Sequence, residues 1–148
     1  MTGMTYFIGV DIGTGSTKAV AVNTSGEPLH VTKASYPTYS QEPTCSEQAP
    51  TLIWQALVKC LLQMIDHFKE KPQGIALSSA MHSVIPVDES GTPLMNMITW
   101  ADNRSASIAK SLRATPIGEK IYSETGTPIH AMTPVCKIKW LLEHDPEL

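Results

Sequence analysis

The sequence predicts an α/β domain whose mixed sheet opens with an antiparallel meander and is flanked by helices. Three observations predict it. Tyr6 to Asn23 (YFIGVDIGTGSTKAVAVN) sets two strand-like apolar runs on either side of a turn rich in glycine and hydroxyls. From Leu52 to Phe68, apolar residues recur at three- and four-residue spacing, the period of an amphipathic helix. Behind that helix, Ile75 to Ser79 is a short apolar run of strand length.

The first strand carries Phe7, Ile8, Val10 and Ile12, with one carboxylate, Asp11, near its end. Gly13, Thr14, Gly15, Ser16 and Thr17 form the turn, Lys18 closes it, and Ala19-Val20-Ala21-Val22 alternates as the second strand. Gly13 and Gly15 let the backbone turn sharply and bring its N–H groups close to an anion. Thr14, Ser16 and Thr17 add hydroxyl donors, and Lys18 adds a positive charge for phosphate oxygens. Asp11 is a hard oxygen ligand suited to Mg²⁺, directly or through its waters. The unit is a candidate cradle for a nucleoside triphosphate; an ordinary β-hairpin accounts for the same residues. It is neither G-x-x-x-x-G-K-[ST] nor G-x-G-x-x-G, because Lys18 stands at the third glycine and a strand, not a helix, follows.

Thr24 to Glu27 reads as a turn and Pro28 to Tyr36 as a third strand. Pro37 to Pro50 is a polar connection with no clear period. Pro50 suits the first turn of the long helix. That helix presents Leu52, Ile53, Ala56, Leu57, Cys60, Leu61, Met64, Ile65 and Phe68 as its core face, with Trp54 off it. Pro72-Gln73-Gly74 ends it. After Ser79 come Met81-His82-Ser83, a run from Val84 to Val87, a turn at Asp88 to Gly91 and a strand-like Met97-Ile98-Thr99. Helices are expected over Ser105 to Leu112, from Pro116 to Tyr122, and over Pro134 to Glu143, the last with Val135, Ile138, Leu141 and Leu142 apolar. Thr125 to Pro128 is a turn. Met4 is an alternative start and Met1-Thr2-Gly3 a frayed end.

A chain of 148 residues has one domain's length and buries roughly 70% of its unfolded surface. A net charge of −3 leaves no basic patch and argues against a nucleic-acid partner. The three cysteines have neither metal nor redox spacing and read as thiols in a reducing cytosol. No signal peptide opens the chain and no apolar run is long enough for a bilayer, so a cytoplasmic protein without a membrane partner is expected.

Three later segments offer chemistry. Ser79-Ala80-Met81-His82-Ser83 follows a strand's carboxyl end, where ligands bind in open α/β sheets. Met81 can pack on the apolar face of a sugar and His82 can exchange hydrogen bonds with hydroxyls; a structural histidine is the plainer reading. In Trp100-Ala101-Asp102-Asn103-Arg104 the indole stacks on polyols while Asp102, Asn103 and Arg104 supply donors and acceptors. A buried Trp followed by a helix cap at Asp102 fits equally. Ile129-His130-Ala131-Met132 reads first as a surface turn.

Taken together, these segments resemble one family. D-I-G-T-G-S-T-K is similar to the first phosphate motif of the sugar-kinase, heat-shock-chaperone and actin superfamily, above all its FGGY carbohydrate kinases. S-S-A-M-H-S and T-W-A-D-N-R, at this separation behind it, resemble the gluconate-kinase branch. Xylulose kinases tend to hold G-Q-M-H-G and W-N-D-x-R there, glycerol kinases N-Q-R-E and W-x-x-R-R. The resemblance implies a ribonuclease-H-like (actin-like ATPase) fold, which the element order also suits. It further implies ATP and Mg²⁺ as cofactors, with Gly13, Thr14, Gly15, Ser16, Thr17 and Lys18 on the nucleotide phosphates and Asp11 on the metal. Met81, His82, Trp100, Asp102 and Arg104 fall on the sugar or sugar-acid side. Thr125-Gly126 begins a further family segment. Met132 stands where glycerol kinases place a substrate-contacting tyrosine, and Glu47-Gln48-Ala49-Pro50 where the family has E-Q-D-P; at both the pattern departs.

Members of this family are longer, with a second, adenine-side lobe and an aspartate general base later in the first. No residue of this chain matches that aspartate, which the resemblance places beyond Leu148. Residues 1–148 are therefore expected to be the amino-terminal part of a sugar-acid kinase, with no catalytic base of their own and little turnover in isolation. Gluconate is the expected substrate, with xylulose or another pentulose or polyol as the alternative. A non-catalytic nucleotide-sensing relative and a ligand-free interaction domain are the rival classes. Self-association as a homodimer stays open.

Overall fold

Strand β1, Tyr6–Ile12, buries Tyr6, Ile8 and Val10 and turns Phe7, Gly9 and Asp11 to its other face, the two-residue alternation of a half-covered strand. β2, Ser16–Asn23, runs back beside it and buries Thr17, Ala19 and Ala21. β3, Pro28–Ser35, completes the antiparallel meander, with a register shift at Ala21/Val22. The computed structural model describes residues 5–146. The alternative start at Met4 and the frayed Met1-Thr2-Gly3 lie outside the described residues. So does Leu148, the position beyond which the general-base aspartate is expected.

These residues group into two compact units, one of residues up to 37 and 50–80, the other of residues 38–49 and 81 onward. In the first, helix α1, Pro50–Phe68, lies on the sheet. Ala56, Leu57, Cys60 and Met64 pack on Tyr6, Ile8, Val10, Ala19, Ala21, Ala34 and Tyr36 as one core. Small alanines on β2 and β3 leave room for the helix to settle close to the sheet. The predicted helix face is right in its centre and too wide at one edge, since Ile65 is exposed. β5, Gly74–Ser79, joins β1 in parallel, giving the order β3-β2-β1-β5. The sheet is thus mixed, as expected.

The second unit holds a feature the sequence reading missed. The polar connection of residues 37–50 contains a two-residue strand, β4 (Glu47–Gln48), paired antiparallel with β6 (Met97–Ile98). In the run from Val84 to Val87, Val84 and Val87 form isolated bridges to Ile98 and Pro93. Helices α2 (Ala106–Arg113), α3 (Pro116–Thr125) and α4 (Pro134–His144) follow. Ile108, Ala109, Ile129 and Cys136 are their shared core. Thr115 caps α3 by accepting from Gly118 N–H at 3.1 Å, and Gly126, at φ 67°, ends it in the left-handed conformation that glycine adopts without penalty.

Gly118 is where α3 meets the end of α2 most tightly. A Cβ there would lie 2.1 Å from the Leu112 carbonyl oxygen, which belongs to backbone and cannot swing aside. Gly118→Ala is expected to destabilise this unit by about 1–3 kcal/mol or more. The gain in helix propensity, about 1 kcal/mol, does not offset that. An unchanged denaturant midpoint for G118A would contradict this packing.

Candidate functional site

The loop after β1 lies in the first unit. Alternation that buries Val10 turns Asp11 outward, and the register sets Lys18 directly across from it. Lys33 continues the row beyond Lys18, and Ser78 flanks Asp11 on the other side. One exposed row across the sheet therefore carries a carboxylate, two ammonium groups and a hydroxyl. Asp11 enters no ion pair among the described residues.

The loop backbone is partly committed. Gly13 N–H donates to the Ser16 carbonyl at 3.0 Å, and Tyr36 N–H donates to the Gly15 carbonyl at 3.2 Å. The Tyr36 phenol donates to the Gly13 carbonyl at 2.5 Å, and burial pushes that phenol above its ordinary pKa. The amide of Gly15 has no acceptor among the described residues. Neither Gly13 nor Gly15 has a positive φ, so a left-handed turn is not what requires glycine here. Clearance is a better account. A Cβ on Gly13 would stand 3.6 Å from Asp11 Oδ2 and 3.3 Å from the Ser16 carbonyl oxygen, and one on Gly15 would project into open space. Space beside the Asp11 carboxylate is thereby kept clear, which fits a metal-bound phosphate chain. Thr17 does not belong to this group. The alternation that exposes Lys18 points Thr17 into the core, fully buried, so its hydroxyl is withdrawn as a phosphate donor.

In the second unit, Val84 and Ile98 exchange two backbone hydrogen bonds of 2.9 Å as an antiparallel bridge. That bridge brings the Met81-His82 and Trp100 segments alongside each other. Met81 is 70% exposed and Trp100 44%, so both present apolar surface outward; Trp100 is not the buried residue of the alternative reading. His82 has φ 66°, a left-handed conformation costing a non-glycine residue roughly 1–2 kcal/mol.

Asp102, buried, and Arg104, half-buried, form a hydrogen-bonded network. Arg104 Nη2 donates to Glu47 Oε1 at 2.7 Å and pairs with Asp102 Oδ2 at 2.9 Å, while Nε donates to Asp102 Oδ2 at 3.0 Å. Asp102 also accepts from Ser46 N–H at 2.9 Å and Arg104 N–H at 3.1 Å. Beneath, the guanidinium lies 4.7 Å from the Trp140 ring centroid. Burial opposes the Arg104 charge, but hydrogen bonds to Asp102 and Glu47 outweigh it and raise its pKa. Asp102, 1% exposed and accepting from two chain segments, is not available to a sugar. Its assignment to the sugar side is corrected: it anchors the 44–48 segment. Nor does it cap α2, whose N-cap is Ser105.

The third segment is not a surface turn, since Ile129 and Ala131 are buried and Ser105 Oγ donates to the Ala131 carbonyl at 2.9 Å. Met132 is half-buried. Sequence reasoning missed Lys137. On α4 the expected apolar residues Val135, Ile138 and Leu142 are exposed, whereas Lys137 is 1% exposed. No periodic signal marks it. Its ammonium donates to the His82 carbonyl at 2.8 Å and the Met132 carbonyl at 2.7 Å. Burial pulls its pKa down to about 8, against the opposing pull of Asp102. An unfolded lysine titrates near 10.4, so between pH 8 and 10 the unfolded state binds more protons. The penalty of burying this charge is full below pH 8 and is relieved as pH rises. Denaturant midpoints of wild type should therefore gain on those of Lys137→Met between pH 7.5 and 10.

Residues 6–148 match the model of the FGGY family of carbohydrate kinases, N-terminal domain. The chain belongs to the FGGY family of carbohydrate kinases. This FGGY domain is 41% identical over 144 residues to a gluconokinase of Bacillus licheniformis, covering 97% of the chain and 28% of that protein. It overlays a gluconate kinase crystal structure from Lactobacillus acidophilus with TM-score 0.93 at 32% identity, over 98% of this chain and 30% of that one. A ligand-bound xylulose kinase from the same organism gives TM-score 0.92 at 33% identity, over 97% and 29%. The fold is thus the ribonuclease-H-like one expected, and the chain spans under a third of the length of these relatives. Among the described residues no helix is long and apolar enough to cross a membrane.

Proposed function

We propose that this chain is the amino-terminal domain of an ATP-dependent kinase that phosphorylates a hydroxyl of a sugar acid, with gluconate the first choice. The observation that carries the proposal is the outward row of Asp11 and Lys18 beside two glycines whose missing side chains leave space open. Identity of 41% to a gluconokinase favours gluconate. The near-equal likeness to a xylulose kinase structure keeps a pentulose as the second reading.

In this mechanism Lys18 and the Gly15 amide bind phosphate oxygens, and Asp11 is the residue that would hold the metal, directly or through its waters. Mg²⁺, when bound with the nucleotide, would spread the triphosphate's negative charge and so lower the cost of passing its terminal phosphoryl group to the hydroxyl, with ADP leaving. Met81 and Trp100 pack on the carbon face of the sugar acid, and His82 and Arg104 address its oxygens. Met81, His82, Trp100 and Arg104 orient the acceptor hydroxyl, a contribution of position rather than of covalent chemistry. The base that takes the hydroxyl's proton is an aspartate beyond Leu148, outside this chain, as is the lobe that holds adenine.

The test is ADP release by the full-length protein with Mg²⁺–ATP and a panel of gluconate, xylulose and glycerol, alongside thermal-shift measurements. Gluconate-dependent ADP release, with nucleotide and gluconate each raising Tm, is expected. Stabilisation by nucleotide with no turnover on any acceptor would replace this reading by a nucleotide sensor. The 148-residue chain alone is expected to turn over little or nothing.

A further inference from the structure

Lys137 is the buried cation for which neither the phosphate loop nor the sugar-side motifs account. Its ammonium reaches two carbonyls, that of His82 far back in the sequence and that of Met132 just before α4. Both belong to segments singled out for their chemistry, and Asp102 of the remaining segment is near enough for its charge to be felt. Among the described residues Lys137 forms no ion pair. Burying an ammonium on carbonyl acceptors alone is costly, and an apolar residue of similar volume would hold the helix as well or better. Such a cost points to a role other than stability.

The bonded carbonyls show what that role is. His82 sits at φ 66°, a conformation that relaxes unless its surroundings hold it. The Lys137 bond of 2.8 Å fixes the carbonyl of that same residue. A compact ammonium with three donors can serve converging carbonyls from different directions, which a planar guanidinium cannot do as well. We propose that Lys137 is a positioning residue of the sugar site, clamping the left-handed turn at His82 to the Met132 loop so that Met81 and His82 keep the orientation a polyhydroxy acid requires. This rests on the sugar-side reading of Met81 and His82 given above.

Lys137→Met and Lys137→Gln in the full-length protein test it, with kinetics and amide hydrogen exchange as separate readouts. For K137M the KM for the sugar acid should rise about tenfold or more, one lost charge-assisted bond being enough. The KM for ATP should stay within about twofold, since Lys137 bonds only the His82 and Met132 segments and none of the phosphate-loop residues. Amides of residues 82–84 and 131–133 should exchange faster in K137M, while those of β1 to β3 do not. Glutamine, which keeps a donor without the charge, should restore part of both effects and covers the case in which the methionine variant fails to fold. Unchanged sugar KM and unchanged exchange in a folded K137M would overturn the proposal. If the wild type phosphorylates no sugar acid or polyol, it is the kinase reading that fails; exchange then decides the clamp alone, faster exchange upholding it and unchanged exchange overturning it.

Discussion

In the full-length enzyme, Asp11→Asn is expected to lower kcat about 100- to 1,000-fold, the usual loss when one preorganised electrostatic partner of a transition state is removed. Asparagine keeps the shape and leaves the β1–β2 ladder intact, so the change isolates charge. Asp11 is exposed and enters no ion pair among the described residues, so stability should move by no more than about 0.5 kcal/mol. Sugar-acid KM should barely change, because the substitution leaves Met81, His82, Trp100 and Arg104, the residues proposed for the sugar side, untouched. The Mg²⁺ concentration giving half-maximal rate should rise, which separates a metal-side role from a general loss of activity. An Asp11→Asn enzyme with wild-type kcat and Mg²⁺ dependence would remove Asp11 from the phosphate machinery.

How much of this could be read in advance depends on how local each feature is. The meander and α1 were legible because alternation and 3.6-residue spacing are written over seven or more consecutive residues. β4 was not, because a two-residue strand has no period and its partner β6 lies about fifty residues on. Thr17 was misassigned by residue type. Its hydroxyl suggested phosphate, while its place in the alternation, between Ser16 and Lys18, already put it in the core. Lys137 and Asp102 are the complementary failure. Charged residues on a predicted helix or cap read as solvent-facing, and only contacts with residues 46, 82 and 132 show that they are buried. The motifs picked out segments, but they could not say which member of each segment faces outward.

Asp102→Ala should be the most damaging single change to the second unit, by about 3–5 kcal/mol. The charge removed is the buried partner of a half-buried arginine, and what remains is worse than an empty space. Arg104 would keep Glu47 at 2.7 Å but lose both bonds from Nε, and the Ser46 amide would lose its 2.9 Å acceptor. Each is a donor largely cut off from water, and leaving one unmade costs more than making it gains. Residues 44–48 would then loosen around Ser46, whose amide loses its Asp102 acceptor. Asp102→Asn should cost less, about 1–2 kcal/mol, since an amide oxygen still accepts one bond while the charge is lost. Urea unfolding would rank the variants, with wild type above Asn and Asn above Ala. By contrast, Trp100→Ala is expected to show mainly in weaker sugar-acid binding. Equal stability of Asp102→Ala and wild type would mean that the carboxylate is spare, and Asp102 would return to the sugar side from which the geometry has removed it.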